Sequence, residues 1–136
     1  MSERFAVGGK VKFAGDNFKA WFYGKAEKCA PRTKLRYSEL TRSGLDDEIR
    51  KEIGVEFEET TLAQIDALME RQSSGQPGVL LTNGFANIFY VRDVNGELRA
   101  VYVRWDAFCG GWHVLANSVG NPRRWRGGYR VFSSNS

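Results

Sequence analysis

Apolar positions alternate with polar ones in two runs on either side of Asn95-Gly96, and this pattern predicts a β-hairpin around which the chain is organised. Both faces of the two predicted strands carry apolar side chains, which indicates a sheet covered on both sides for part of its length. The register has two solutions. A two-residue loop places Ile88 opposite Val103, whereas a three-residue loop with a bulge at the glycine places Ile88 opposite Tyr102.

Before the hairpin, apolar residues recur every three to four positions, and this spacing predicts helices. The best defined one runs from Leu62 to Gln72, because Thr61 and Gln64 form a capping box in front of an apolar stripe. Two shorter helices are expected earlier in the chain. Their apolar sides are formed by Leu45, Ile49 and Ile53 in one helix and by Phe18, Trp21 and Phe22 in the other.

The remaining apolar runs predict short strands, with an extended lead at Glu56 to Glu59. The predicted strands are Val7 to Phe13 at a sheet edge, Leu35 to Tyr37, Val79 to Thr82, Trp112 to Asn117 and Tyr129 to Phe132. Helices followed by successive strands indicate an α+β fold, a small antiparallel β-meander of about four to five strands packed against two or three short helices. We expect a single domain over 1–136 with frayed ends at 1–5 and 133–136.

Charge is distributed unevenly, although the net charge is only +4. Residues 1–37 carry nine Lys or Arg against three acids, residues 38–85 carry four against ten, and residues 86–136 carry seven against three. The segments either neutralise each other within the fold or leave a basic surface for an anionic partner. The acidic cluster Asp46 to Glu48 has a structural explanation, since it begins a predicted helix, where the dipole stabilises carboxylates.

Membrane and cofactor functions receive no support from the sequence. No signal peptide or membrane-spanning run is evident, so we expect a soluble cytoplasmic protein without a membrane partner. Cys29 and Cys109 lack zinc-site spacing and are expected to be reduced thiols, and His113 is the only histidine. The sequence therefore predicts no metal and no cofactor.

The most distinctive candidate for function is Asn121 to Arg130, which combines four arginines with two aromatic residues and no acid. Guanidinium groups bind phosphates and aromatic rings stack on bases, so this composition favours RNA or a single strand. The candidate nucleic-acid-binding residues are Arg99, Arg104, Arg123, Arg124, Trp125, Arg126, Tyr129 and Arg130, with Lys34 and Arg36 as possible additions. The structural alternative is that Trp125 and Tyr129 cap the core while arginines pair with Glu56, Glu58 and Glu59.

A thiol and an imidazole occur close together in Cys109-Gly-Gly-Trp-His113, and these are the groups of a nucleophile and its base. Asp106 is the only local carboxylate, and no neighbouring acid or amide is fixed by the sequence to orient the ring. A cysteine at a turn and a histidine on a strand are more often structural, so catalysis ranks third among the hypotheses.

Several short stretches together resemble an uncharacterised family of short proteins from candidate-phylum bacteria of the Parcubacteria type. They are Asp16 to Phe22, Thr60 to Ala63, Leu68-Met69, Asn83 to Asp93, Gly111-Trp112 and Arg130 to Ser133. The resemblance implies a bacterial, single-domain protein and carries no activity, ligand or catalytic residue.

The leading hypothesis from sequence is a small non-enzymatic binding module that contacts nucleic acid through its C-terminal Arg/Trp segment. A protein-interaction or inhibitor module is the alternative. An enzyme built on Cys109 and His113 is the third.

Overall fold

The computed structural model describes residues 5–27 and 34–134 and contains four helices and seven strands within them. The helices are α1 (Asp16–Phe22), α2 (Asp46–Ile53), α3 (Val55–Glu58) and α4 (Leu62–Arg71). The strands are β1 (Val11–Ala14), β2 (Leu35–Glu39), β3 (Glu59–Thr60), β4 (Asn87–Arg92), β5 (Leu98–Asp106), β6 (Gly111–Ser118) and β7 (Arg130–Ser134). In these residues no helix has the length and apolar character that crossing a membrane requires.

The α+β class is confirmed, but the predicted antiparallel meander of four to five strands understates the sheet, which has seven strands and includes parallel pairs. The strands form one mixed sheet in the order β1-β6-β5-β4-β7-β2, and β3 pairs with β4 beside β7. Pairs β4·β5, β5·β6 and β2·β7 are antiparallel, whereas β1·β6, β4·β7 and β3·β4 are parallel. The parallel pairs join strands that are far apart in sequence. A short turn does not connect such strands, so no turn motif in the sequence predicts their pairing.

Each face of the sheet has its own apolar cluster, as the two-sided pattern of the hairpin predicts. Phe89 and Val91 of β4 point to the first face, where they pack with α1 and α4. Ile88 and Tyr90 point to the second face, where they pack with α2 and Trp125. The sheet is therefore the middle layer of the molecule.

The β4–β5 hairpin adopts the second of its two predicted registers, with Ile88 opposite Tyr102. Gly96 has φ +81, in the left-handed region, as the bulged three-residue loop requires. The side chain of Asp93 accepts hydrogen bonds from the amides of Asn95 at 2.8 Å and Glu97 at 3.0 Å. This carboxylate fixes the turn and selects the register.

The run Val79 to Thr82 is not a strand, contrary to prediction, because side chains occupy its backbone groups. The amide of Gln72 receives a hydrogen bond from Leu80 N at 2.9 Å and donates one to Leu80 O at 3.0 Å. The amide of Asn87 likewise receives a hydrogen bond from Leu81 N at 2.8 Å and donates one to Leu81 O at 3.2 Å. Two buried amide side chains thus replace a neighbouring strand.

Three further predictions need correction. The extended lead at Glu56 to Glu59 is mostly the single turn α3, which starts at Gly54 with φ +95 and places Glu58 against Arg50 at 2.7 Å. Val7 and Phe13 are exposed, so in the predicted first edge strand only Val11 joins the core. Of the ends expected to fray, Phe5 is buried and Ser133 and Ser134 belong to β7.

Candidate functional site

The eight candidate residues do not form one surface, because β5 directs its arginines to opposite faces of the sheet. Side chains alternate along a strand, so Arg99 lies on the first face and Arg104 on the second. Arg99 donates to Asp93 at 2.9 Å, and its guanidinium lies 3.8 Å from the centroid of the Trp21 ring. Both its charge and its planar face are used inside the fold.

Arg130 is also committed to the first face. It donates to the carbonyl of Val79 at 2.6 Å, and its guanidinium lies 4.8 Å from the Tyr37 ring. Like Arg99, it ties a loop and a strand to the sheet and is not available to a phosphate.

Trp125 is a core residue on the second face. Only 9% of its surface is exposed, and its indole Nε1 donates to Asp46 Oδ1 at 2.7 Å. Tyr90 OH donates to the same oxygen, also at 2.7 Å. Residue 125 also forms an isolated β-bridge with Gly44, so the backbone and the ring both anchor its loop. Trp125 caps the core, as the structural alternative predicts, and its ring presents little surface on which a base could stack.

The carboxyl of Asp46 is buried, and no cation among residues 5–27 and 34–134 donates a hydrogen bond to it. Burial raises its pKa, and the hydrogen bonds from Tyr90 and Trp125 oppose that shift without cancelling it. Burial, followed by the negative charge of Asp46, likewise raises the pKa of Tyr90 far above its usual value. The three groups form a neutral-donor cluster that joins α2, β4 and the arginine–tryptophan loop.

The other members of the segment are distributed around the rim of the second face. Arg124 pairs with Glu48 at 3.1 Å, and the guanidinium of Arg126 lies 5.4 Å from the Phe85 ring. Tyr129 packs edge-on against that phenylalanine, with centroids 5.4 Å apart. The predicted pairing of the segment's arginines with Glu58 and Glu59 is wrong, because these glutamates pair with Arg50 at 2.7 Å and Arg92 at 3.3 Å instead.

Arg104, Arg123 and Arg126 are exposed and have no ion pair among the described residues. The guanidinium of Arg126 lies against the Phe85 ring, whereas Arg104 and Arg123 have no such ring contact in the same residues. Both border the part of the second face that α2 does not cover. Between them lie Tyr102 and Leu115, which are opposite each other in the β5·β6 pair. Phe13 of β1 adds a ring that is 46% exposed. We call this surface the open strip; its residues are Phe13, Tyr102, Arg104, Leu115, Asn117 and Arg123.

Arg36 does not extend the open strip, because β2 is at the opposite edge of the sheet. Its guanidinium lies 5.0 Å from the Phe57 ring, and its Nε donates to Ser133 Oγ at 3.3 Å. It lines a groove of about 380 Å³ between α2 and β2. Lys34 is exposed next to the start of that strand.

The turn between β5 and β6 brings Cys109 and His113 together with Asp106. Their potential ligand atoms all lie within 4.8 Å of one another, and Asp106 Oδ2 is 3.3 Å from His113 Nε2. The thiol-bearing residue is exposed, whereas the imidazole is largely buried beneath Phe13, with ring centroids 5.3 Å apart. The sequence identifies all three residues. It could not predict the contact between the Asp106 carboxylate and the His113 ring, because that contact depends on the β5·β6 register. Cys29 lies outside the described residues.

Two residues of this face have a role that their sequence context does not indicate. Strand alternation puts Val11 and Phe13 on the same side of β1, but a register shift between them turns the Phe13 ring outward. Asp46 was explained by the helix dipole, and its burial follows only from the docking of Trp125. Neither effect has a local sequence signal.

No family model, curated protein or solved structure matches this chain in comparisons with known proteins, so its function has to be inferred from its own residues. The resemblance to the Parcubacteria-type family stays a prediction.

Proposed function

We propose that this protein is a small non-enzymatic module that binds RNA or another single strand along the open strip. Arg104 and Arg123 neutralise phosphates, while Phe13 and Tyr102 stack on bases. The supporting observation is that two exposed arginines, which have no ion pair in the described part of the chain, border aromatic rings on the uncovered part of one sheet face. Sheets with outward-facing aromatic residues are a common platform for unpaired bases.

The dimensions of the open strip suit a short segment of single strand. Arg123 borders Asn117, which pairs with Ala100, and Arg104 lies four residues further along β5. Four residues of strand span about 13 Å. A sheet surface of this size accommodates roughly two or three stacked bases in known modules.

The mechanism is electrostatic attraction plus stacking, with little base-specific readout. Because the guanidinium groups replace counterions on the phosphates, affinity falls as salt rises. Tyr102 is held edge-on by Trp125, at a centroid distance of 5.0 Å, so its ring is oriented before a ligand arrives. The buried Trp125 thus supports the site from below.

Fluorescence anisotropy with labelled oligo(U) and oligo(dT) at several salt concentrations tests this proposal. The plot of log K against log salt should have a negative slope. Replacing both Arg104 and Arg123 with alanine should make that slope shallower by about 1.4, since each single-strand phosphate contact contributes about 0.7. Phe13→Ala should weaken binding by about tenfold, within the range for one stacked base. Arg71→Ala, at an exposed position of α4 on the other side of the sheet, is the matched control and should change nothing.

Absence of binding at low salt overturns the proposal, as does an equal loss in the Arg71 variant. A protein-interaction module is the second candidate, and the turn beside the open strip favours it, because Phe108 is fully exposed there. A partner that binds the wild type but not Phe108→Ser, without any nucleic-acid affinity, would support that second function.

A further inference from the structure

The β5–β6 turn has a feature that nucleic-acid binding does not require. It gathers a carboxylate, a thiol and an imidazole, three different metal-ligating groups, from Asp106, Cys109 and His113. Because the donors come from one hairpin, the backbone turn alone sets their relative positions.

Asp106 is held in a fixed orientation by the turn. Its Oδ1 accepts hydrogen bonds from the amides of Phe108 at 2.9 Å and Cys109 at 3.0 Å, and Gly110 N donates to its carbonyl at 2.8 Å. Oδ2 faces the imidazole of His113 and lies 3.3 Å from its Nε2. Hydrogen bonds to the non-ligating oxygen are the support that metal-binding carboxylates commonly have.

His113 supplies a second, independent observation. Its Nε2 is buried and has no hydrogen-bond partner in the described part of the chain, although Asp106 Oδ2 lies only 3.3 Å away. Buried ring nitrogens normally have a partner. A cation between the carboxylate and the imidazole would satisfy both groups at once.

We propose that Asp106 Oδ2, Cys109 Sγ and His113 Nε2 bind one Zn²⁺ ion, with the fourth coordination position open to solvent. Thiolate and imidazole ligands favour zinc over magnesium or calcium, which prefer oxygen. One thiolate and one carboxylate balance the charge of the ion, and the neutral imidazole completes a three-ligand set.

The positions of the donors are close to those that zinc needs. Tetrahedral coordination with bonds of about 2.0–2.3 Å places ligand atoms about 3.3–3.8 Å apart. The present separations reach at most 4.8 Å, and Cys109 is exposed in the turn, where its side chain can rotate toward the other two. Binding therefore needs a small closure of the turn and no rearrangement of the sheet.

The same three groups could form a Cys-His-Asp nucleophile, but the turn argues against acyl transfer. The amides of Phe108, Cys109 and Gly110 all donate to Asp106. The backbone donors nearest the thiol are therefore unavailable to stabilise an oxyanion. Metal binding uses this hydrogen bonding, whereas acyl transfer would have to break it.

Titration of the metal-free full-length chain with Co²⁺, under a non-thiol reductant, tests the site through the thiolate-to-cobalt absorption band. We expect the band to saturate at one equivalent and Zn²⁺ to displace it. Cys109→Ser should abolish the band and weaken Zn²⁺ binding by about 100-fold or more, since even lost outer-shell partners cost about 10–100-fold. Asp106→Asn keeps the oxygen that the turn amides use, so it should weaken binding without unfolding the hairpin. Cys29→Ser is the matched control.

The inference is overturned if no band forms, if Cys109→Ser binds Zn²⁺ as the wild type does, or if Cys29→Ser removes the band. Zn²⁺ should also slow alkylation of Cys109 by iodoacetamide. An alkylation rate that is the same with and without Zn²⁺ would contradict direct ligation. None of the three variants alters Arg104 or Arg123, so failure of this site and failure of the proposed nucleic-acid surface are distinguishable.

Discussion

The two faces of the sheet are built in different ways. On the first face, α1 and α4 cover a continuous apolar cluster that includes Phe89, Trp112 and Phe132, each with no exposed surface. On the second face, α2 and the loop carrying Trp125 cover only the side near β4 and β7, and the open strip remains near β5 and β6. The first face therefore holds the larger cluster of buried residues, and the second face leaves part of the sheet exposed.

The faces also treat a buried carboxylate differently. On the first face Asp93 pairs with Arg99 at 2.9 Å, whereas on the second face Asp46 has the neutral donors Tyr90 and Trp125. Burial raises the pKa of Asp93, but the hydrogen bonds from Arg99 and from two turn amides lower it by more than burial raises it. The pKa of Asp93 therefore lies below the usual range. The pKa of Asp46 is raised instead. A full counter-ion, more than burial itself, decides the direction.

Truncating an aromatic residue on each face should show the largest contrast. Phe89→Ala removes a fully buried ring stacked on Phe132, at a centroid distance of 4.6 Å, and should lower the free energy of unfolding by about 3–5 kcal/mol. Phe13→Ala, at an exposed position, should cost less than about 1 kcal/mol. Urea denaturation followed by tryptophan fluorescence measures both. Equal losses would mean that the open strip is covered in solution.

The second effect concerns the anchor of the half-covered face. Asp46→Ala leaves Tyr90 OH and Trp125 Nε1 buried without an acceptor, and each unsatisfied donor costs about 1–3 kcal/mol. We expect a combined loss of about 2–4 kcal/mol in urea denaturation. Asp46→Asn keeps an oxygen for both donors and should restore most of the stability. Asp47→Ala, at an exposed neighbouring position, is the control and should have little effect.

The smallest effect is the opposite pH dependence of the two carboxylates. Asp93 stabilises the fold above its unfolded pKa of about 3.9, and this contribution is lost as pH falls through its lower folded value. Asp46 stabilises the fold most when protonated, so its contribution declines as pH rises from about 4 through its folded value.

Chemical denaturation between pH 2.5 and 7 measures this difference. Relative to the wild type, Asp93→Asn should be less destabilised at the acid end, and Asp46→Asn should gain stability as pH rises. Parallel profiles for the wild type and both variants would contradict the assigned partners.

Sequence identified the elements whose signals are local. The capping box of Thr61 and Gln64 marks the start of α4, and the alternation around Asn95-Gly96 marks the hairpin. It could not show that β7 lies between β4 and β2, because parallel pairing of distant strands depends on the whole set of contacts. For the same reason, Leu80 appeared to belong to a strand although Gln72 binds its backbone.

The candidate site was predictable in residue type but not in position. Four consecutive aromatic or cationic positions from Arg123 to Arg126 suggested one surface, but burial of Trp125 separates its neighbours. Alternation along β5 would have assigned Arg99 and Arg104 to opposite faces from sequence alone. That Arg99 contacts Asp93 and Trp21 could not be predicted without the fold.

The order of strands in the sheet has a consequence for how the chain acquires its structure. The first two strands to be synthesised, β1 and β2, pair with the last two, β6 and β7. Neither edge can close until nearly the whole described chain has left the ribosome, and long-range pairing of this kind slows folding. We therefore expect the β4–β5–β6 meander to assemble first and the two edges to join it last.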